Sequence, residues 1–174
     1  AELELNLMAL VAQSYAVSRC MENYETGAAQ MNAIFIDIGG GTTDISVVSN
    51  GSLEGAKMFT VGGRTFSKRL ANTLNISLEE AEEIKRTYAS GTLEKQSEKI
   101  VREAMEGDAD VWRTGVMFTL SELSGTEQLP SRIFLCGGGS HLPEIRRSLE
   151  QTDWTASLPF SKPPAISLLA PKQL

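Results

Sequence analysis

The stretch IFIDIGGGTTDISVV, residues 34–48, decides how the chain is to be read. Two strand-like apolar runs, Ile34–Ile38 and Thr43–Val48, flank three consecutive glycines. Asp37 and Asp44 bracket them. Glycine lets a backbone come close to a ligand, and successive exposed amides form a concavity that holds anions. Gly39, Gly40 and Gly41 are therefore candidates to aim N–H groups at phosphate oxygens, with the Thr42 and Thr43 hydroxyls as further donors. Asp37 ends its strand, where a sheet would hold its carboxylate in position for a water of a hydrated Mg²⁺ or for a hydrolytic water. The competing reading is an exposed glycine-rich hairpin. No Gly-Lys-Ser/Thr follows, so this is not a Walker A loop. A strand rather than a helix follows, so it is not a dinucleotide fingerprint either.

Outward from this turn the pattern is α/β. Asn50-Gly51 is a strong hairpin signal and leads to a third strand over 52–61, giving an antiparallel meander. A helix fits 64–74. Ser77 and Glu80 form a capping box for a second helix running to about Tyr88. A long helical pattern over 94–123 follows, weakened midway by Gly107-Asp108, where a kink or split could fall. The continuous apolar run in 131–136 predicts a parallel strand, 143–151 a helix and 155–158 a short strand. The Pro-, Ser- and Lys-rich tail, 160–174, reads as irregular. Helical periodicity also marks 2–24, with Gly27 as its stop. Antiparallel strands followed by parallel strands with helical crossovers make a mixed, twisted sheet.

Composition narrows the functional classes. The chain has 174 residues and a net charge of −6. No Lys/Arg-rich run is present, so nucleic acid and anionic membrane surfaces are not expected partners. The uncharged stretch 5–18 is shorter than the ~20 residues of a membrane span, and Glu2 and Glu4 precede it where a signal peptide would carry basic residues. A cytoplasmic protein is expected, and Asn75-Ile76-Ser77 is then a chance glycosylation triplet. Cys20 and Cys136 read as buried thiols rather than a disulfide. With one histidine, His141, a zinc site is not expected.

Two further elements carry chemistry. LCGGGSHLP, residues 135–143, is a second glycine turn ending a strand. Its glycines would let a flat base approach the backbone, with His141 against the base. Alone it also reads as a helix-entry loop. EEIKR, residues 82–86, puts Glu82 and Lys85 on one helix face, able to reach sugar hydroxyls or simply to be solvated.

In this order the elements resemble the actin-like ATPase superfamily: actin, heat-shock chaperone ATPases, MreB and FtsA. DIGGGTTD looks like the family's second phosphate motif and LCGGGSHLP like its adenosine motif. VGGRTFSKRLANTLNISLEEAEEIK resembles the bacterial division protein FtsA and its pilus-assembly relative PilM, and the intact phosphate motif favours FtsA. The resemblance implies a ribonuclease-H-like mixed sheet with flanking helices, forming one lobe of the ATPase. It implies an inter-lobe helix over 1–27, the nucleotide-binding lobe over 28–63 and 100–174, and a reduced inserted helical subdomain over 64–99. It implies ATP or ADP with Mg²⁺ as ligand. Asp37 would be the catalytic carboxylate and would hold Mg²⁺ through water. Gly39, Gly40, Gly41 and Thr42 would hold the β- and γ-phosphates, and Gly62 and Gly63 would pass beneath the nucleotide. Glu82 and Lys85 would contact the ribose, with Arg86 near the base. Gly138, Gly139 and His141 would contact the adenine.

The family's first-lobe phosphate hairpin, of Asp-x-Gly-Thr type, is absent from these residues, so the chain is expected to hold one side of the nucleotide. The tail 160–174 has no basic amphipathic pattern of the kind that targets FtsA to membranes. The implied function is a slow Mg-dependent ATPase lobe in cell division, polymerising into filaments or binding a division or envelope-assembly protein such as a tubulin-like ring protein. The alternatives are a non-enzymatic PilM-like scaffold and a chaperone ATPase.

Overall fold

A computed structural model describes residues 16–17, 31–125, 128–151 and 153–169. Three strands come first: β1 (Ala33–Ile38), β2 (Thr43–Ser49) and β3 (Ser52–Phe59). Three helices follow: α1 (Gly63–Leu74), α2 (Leu78–Ala89) and α3 (Lys95–Ser124). Then come β4 (Arg132–Cys136), a short helical turn (Gly138–His141), α4 (Pro143–Glu150), a second helical turn (Asp153–Thr155) and β5 (Ala165–Leu168). The strands form one sheet in the order β3-β2-β1-β4-β5. β1, β2 and β3 pair antiparallel, whereas β1–β4 and β4–β5 pair parallel. This is the mixed α/β sheet that the pattern of elements predicts.

Local chemistry sets the turns. Asn50 (φ 51°) and Gly51 (φ 75°) are both left-handed, as the tight hairpin between β2 and β3 requires. Ser77 and Glu80 close a reciprocal capping box at the start of α2, so two open amides of that helix end are satisfied. Strand alternation then divides the sheet into two faces. Ile34, Ile36, Ile45, Ile133 and Leu135 pack with Phe66, Leu70, Met105, Trp112 and Ile145 from the helices. Phe66 and Leu70 of α1 and Ala81 and Tyr88 of α2 thus lie in the same core as the strands. On the opposite face Phe35 and Phe134 stack at 5.4 Å between ring centres, with Ala33, Val48 and Cys136 beside them.

One open point closes and two expectations change. The helix does not split at the weak point Gly107-Asp108: α3 is one helix of 30 residues, about 45 Å long. The carboxylate of Asp108 is buried and accepts two bonds from the Arg69 guanidinium of α1, at 3.0 and 2.8 Å. A residue with a weak helical preference is held in mid-helix because its side chain is bound across the interface rather than to nearby backbone. Residues 155–158 do not form a strand. A helical turn stands there, anchored by the Trp154 indole donating to the Leu149 carbonyl at 2.9 Å. The last strand lies instead in the tail that reads as irregular, where Ala165–Leu168 adds to β4. The helix expected over 2–24 and Cys20 lie outside the described residues, Ala16 and Val17 aside. Cys136 is the buried free thiol expected.

Candidate functional site

Parallel pairing of β1 with β4 sets Asp37 against Cys136, so both glycine turns emerge side by side at one end of the sheet. The first is closed by the Gly39 amide donating to the Thr42 carbonyl at 2.9 Å. It rests on the start of α1: the Gly63 amide donates to the Gly39 carbonyl at 2.9 Å and the Arg64 amide to the Gly40 carbonyl at 2.7 Å. Gly62 lies so close beneath that a Cβ there would come within 2.7 Å of the Gly39 oxygen. Gly40 and Gly41 differ. They are exposed, their φ is not left-handed, and a Cβ at Gly41 would meet nothing within 4 Å. At Gly40 the nearest atom would be the Arg64 guanidinium, at 4.0 Å. Among the described residues no backbone carbonyl takes either amide.

The hairpin register pairs Asp37 directly with Asp44, so the two carboxylates stand on one face of the sheet. Both line a cavity of about 220 Å³ with Phe35, Met58 and Cys136. Burial and the charge of Asp37 push the Cys136 thiol up to about 12. The Thr42 hydroxyl donates to Asp44 at 3.2 Å. Among the described residues no group of three or more His, Cys, Asp or Glu side chains gathers as a metal-binding cluster.

Gly40, Arg64, Glu79, Glu82, Lys85 and Arg86 line a groove of about 760 Å³ running from the first turn along α2. Burial alone would raise the Glu82 pKa. Hydrogen bonds from Lys85 and Ser67, with the charges of Lys85 and Arg86, outweigh it and hold the carboxyl below its usual range. At the far end of α2, Tyr88 donates to the buried carboxylate of Glu144, which tethers this helix to the first turn of α4.

The family profile described as "Cell division protein FtsA" matches residues 34–171. The chain belongs to the FtsA family. FtsA of Bacillus subtilis is 33% identical over 95 residues, which cover 55% of this chain and 20% of that protein. The ethanolamine utilization protein EutJ of Salmonella typhimurium is 38% identical over 92 residues, covering 48% of this chain and 33% of that one. The chain thus spans a third or less of the curated relatives it matches. Among solved structures, a PilM–PilN type IV pilus biogenesis complex aligns with 96% of this chain and 46% of its own at a TM-score of 0.67 and 19% identity. EutJ from Carboxydothermus hydrogenoformans aligns with 88% of this chain and 47% of its own at 0.59 and 20%. The fold is that of the actin-like ATPases.

Against this FtsA-family fold Asp37 stands at the end of β1 opposite Asp44, and the other site residues named from sequence fall into three groups. Gly40, Gly41, Glu82, Lys85 and Arg86 border or adjoin the groove, and Gly39, Thr42, Gly62 and Gly63 build or support the turn above it. Gly138, Gly139 and His141 lie beside the end of β1, with Gly138 and His141 exposed and Gly139 buried against Ile38. Thr43 is a correction as a donor: its side chain is wholly buried, with its hydroxyl donating to the Val61 carbonyl at 2.7 Å and accepting from the Trp112 indole at 2.9 Å. Strand alternation explains this, because Thr43 opens β2 on the face opposite to Asp44. Asp44, opposite Asp37, and Arg64, beside Gly40 in the groove, are further candidates that the structure adds. A hairpin that pairs Ile38 with Thr43 must also pair Asp37 with Asp44, so the signal for Asp44 was present in the turn length.

Proposed function

We propose that this chain is the ATP-binding lobe of an FtsA-like protein of bacterial cell division. The observation that carries the reading is the exposed backbone of Gly40 and Gly41, whose amides have no backbone acceptor and where neither backbone angle nor any neighbouring atom calls for glycine. A ligand that approaches the backbone closely does call for it, and two amides with no backbone partner suit phosphate oxygens. Asp37 and Asp44 fit a hydrated Mg²⁺. Like charges directly opposite in a sheet repel, and a hard divalent cation held by one or two carboxylates relieves that cost. Bound there, Mg²⁺ would neutralise charge on the phosphates. Asp37 would accept a hydrogen bond from a water at the rim of the turn and orient it. The groove along α2, with Arg64 and Arg86 at its sides, would receive the nucleoside.

The division role, through polymerisation and a link between a ring and the membrane in the cytoplasm, rests on membership of the FtsA family. Among the described residues no helix is long and apolar enough to cross a membrane. Calorimetric titration of the full-length protein with Mg-ATP tests the site. Binding is expected, with loss of Mg²⁺ dependence in Asp37→Ala. An unchanged affinity and Mg²⁺ response in that variant would remove the assignment.

A second reading is a non-enzymatic scaffold of the PilM kind, in which nucleotide is structural and a partner protein is the purpose. The EutJ match favours a role outside cell division, since a comparable stretch occurs in a protein named for ethanolamine utilization. Single-turnover phosphate release separates the two readings: prompt release counts against a scaffold.

A further inference from the structure

Lys85 is 8% exposed, which is unusual for a lysine facing a groove. Its ammonium has three N–H donors. All three are matched within the chain, by the Gly63 carbonyl at 3.0 Å, the Ser67 hydroxyl at 2.8 Å and the Glu82 carboxylate at 2.7 Å. Ser67 in turn donates to the same Glu82 oxygen at 2.5 Å. A sugar hydroxyl could gain a donor from Lys85 only by displacing one of these. The geometry points to Lys85 as a positioning residue for the glycine turn.

The chain of bonds runs from α2 to the turn. Lys85 fixes the carbonyl of Gly63, and the Gly63 amide holds Gly39. The next amide, Arg64, holds Gly40. The first amides of a helix have no partner within it. Here they are directed to the turn, and α1 can present them only if its first residues are fixed. α2 pins those residues through a partly buried, charge-assisted cluster, the strong class of hydrogen bond. The latch therefore couples the turn that would hold phosphates to the helix that forms the wall of the groove.

This inference rests on the nucleotide reading of the groove only in its ligand-binding half, so two readouts are needed. Amide hydrogen exchange at Gly63 and Arg64 in the ligand-free full-length protein reads the latch itself. Lys85→Met, which keeps the stem and removes the donors, should speed exchange there by about tenfold or more. Ser67→Ala should act in the same direction but less. Ser67 is fully buried, so no contact between it and a ligand can explain an effect. Titration with Mg-triphosphate and with Mg-ATP then reads the consequence. Both affinities should fall by the same factor, about tenfold in Lys85→Met. Unchanged exchange in both variants, or a loss confined to Mg-ATP with Mg-triphosphate unaffected, would overturn the inference. If the wild type binds neither ligand, the nucleotide reading fails, and the exchange rates still decide the role of Lys85.

Discussion

The turn at Gly39–Gly41 and the turn at Gly137–Gly139 share a three-residue sequence and lie at the same end of neighbouring parallel strands. Their glycines have different causes. In the second turn Gly137 has φ 79° and any Cβ would overlap the Asp37 carboxylate and the Ile38 carbonyl; a Cβ at Gly139 would overlap the Ile38 side chain. Close approach of the turn to the end of β1 is sufficient reason for both. In the first turn Gly62, a residue from outside the triplet, makes the close approach, and Gly40 and Gly41 face open space. A glycine triplet is therefore not one kind of evidence. Gly137 and Gly139 are dictated by packing and Gly138 is not, whereas Gly40 and Gly41 are both left for something outside the chain.

This contrast can be broken by substitution. The largest effect is expected from Gly137→Ala, which combines a left-handed backbone with overlap of fixed atoms and should cost on the order of 3 kcal/mol of stability in urea unfolding. A cost below about 1 kcal/mol would mean that the second turn can move away from β1. Gly40→Ala should do the reverse. Its stability should stay within about 0.5 kcal/mol of the parent, while Mg-ATP affinity falls about tenfold. Equal affinity in that variant would return the first turn to the status of an ordinary exposed hairpin.

The two strand ends differ in charge as well, with Asp37 on β1 facing Cys136 on β4. The Cys136 thiol stays protonated in the folded state up to about 12. An unfolded thiol ionises from about pH 8.5. The raised value therefore contributes stability that is complete below that pH and is lost progressively as pH rises toward 12. Unfolding midpoints measured between pH 8 and 11 should fall less steeply in Cys136→Ala than in the parent. Parallel slopes would show that burial of the thiol does not govern its ionisation. The smallest effect is expected from Asp44→Asn without Mg²⁺. Removing one of two opposed like charges should raise stability by roughly 0.5 kcal/mol, and the gain should shrink when Mg²⁺ is added to both proteins. A loss of stability would show that the two carboxylates do not repel.

Much of this was legible in the sequence because local chemistry determined it. Asn50-Gly51 and the Ser77–Glu80 box specify their turns within four residues, and strand alternation specifies which isoleucines enter the core. What was not legible depended on partners far along the chain. Ala165–Leu168 is a strand because β4 offers it an open edge, and its short apolar content beside Pro163 and Pro164 gave no signal. Gly107-Asp108 looks like a break until Arg69, 39 residues away, takes the carboxylate. Lys85 and Glu82 look solvated by spacing alone. The burial of Lys85, and the bonds that hold the half-exposed Glu82 beside it, follow from Ser67 and Gly63, which only the packing of α1 on α2 brings to them.

Trp112 sits at the middle of α3, fully buried, with its indole bonded to the hydroxyl of Thr43, the first residue of β2 after the glycine turn. The protein thus carries a built-in optical gauge. Indole emission responds to the polarity and hydrogen bonding of its N–H, and any shift of the turn that draws Thr43 with it must stretch this bond. The chain has only two tryptophans, and the other, Trp154, lies just beyond α4 and is bonded to the Leu149 carbonyl in its last turn. In a Trp154→Phe background, light from Trp112 alone would register motion of the turn.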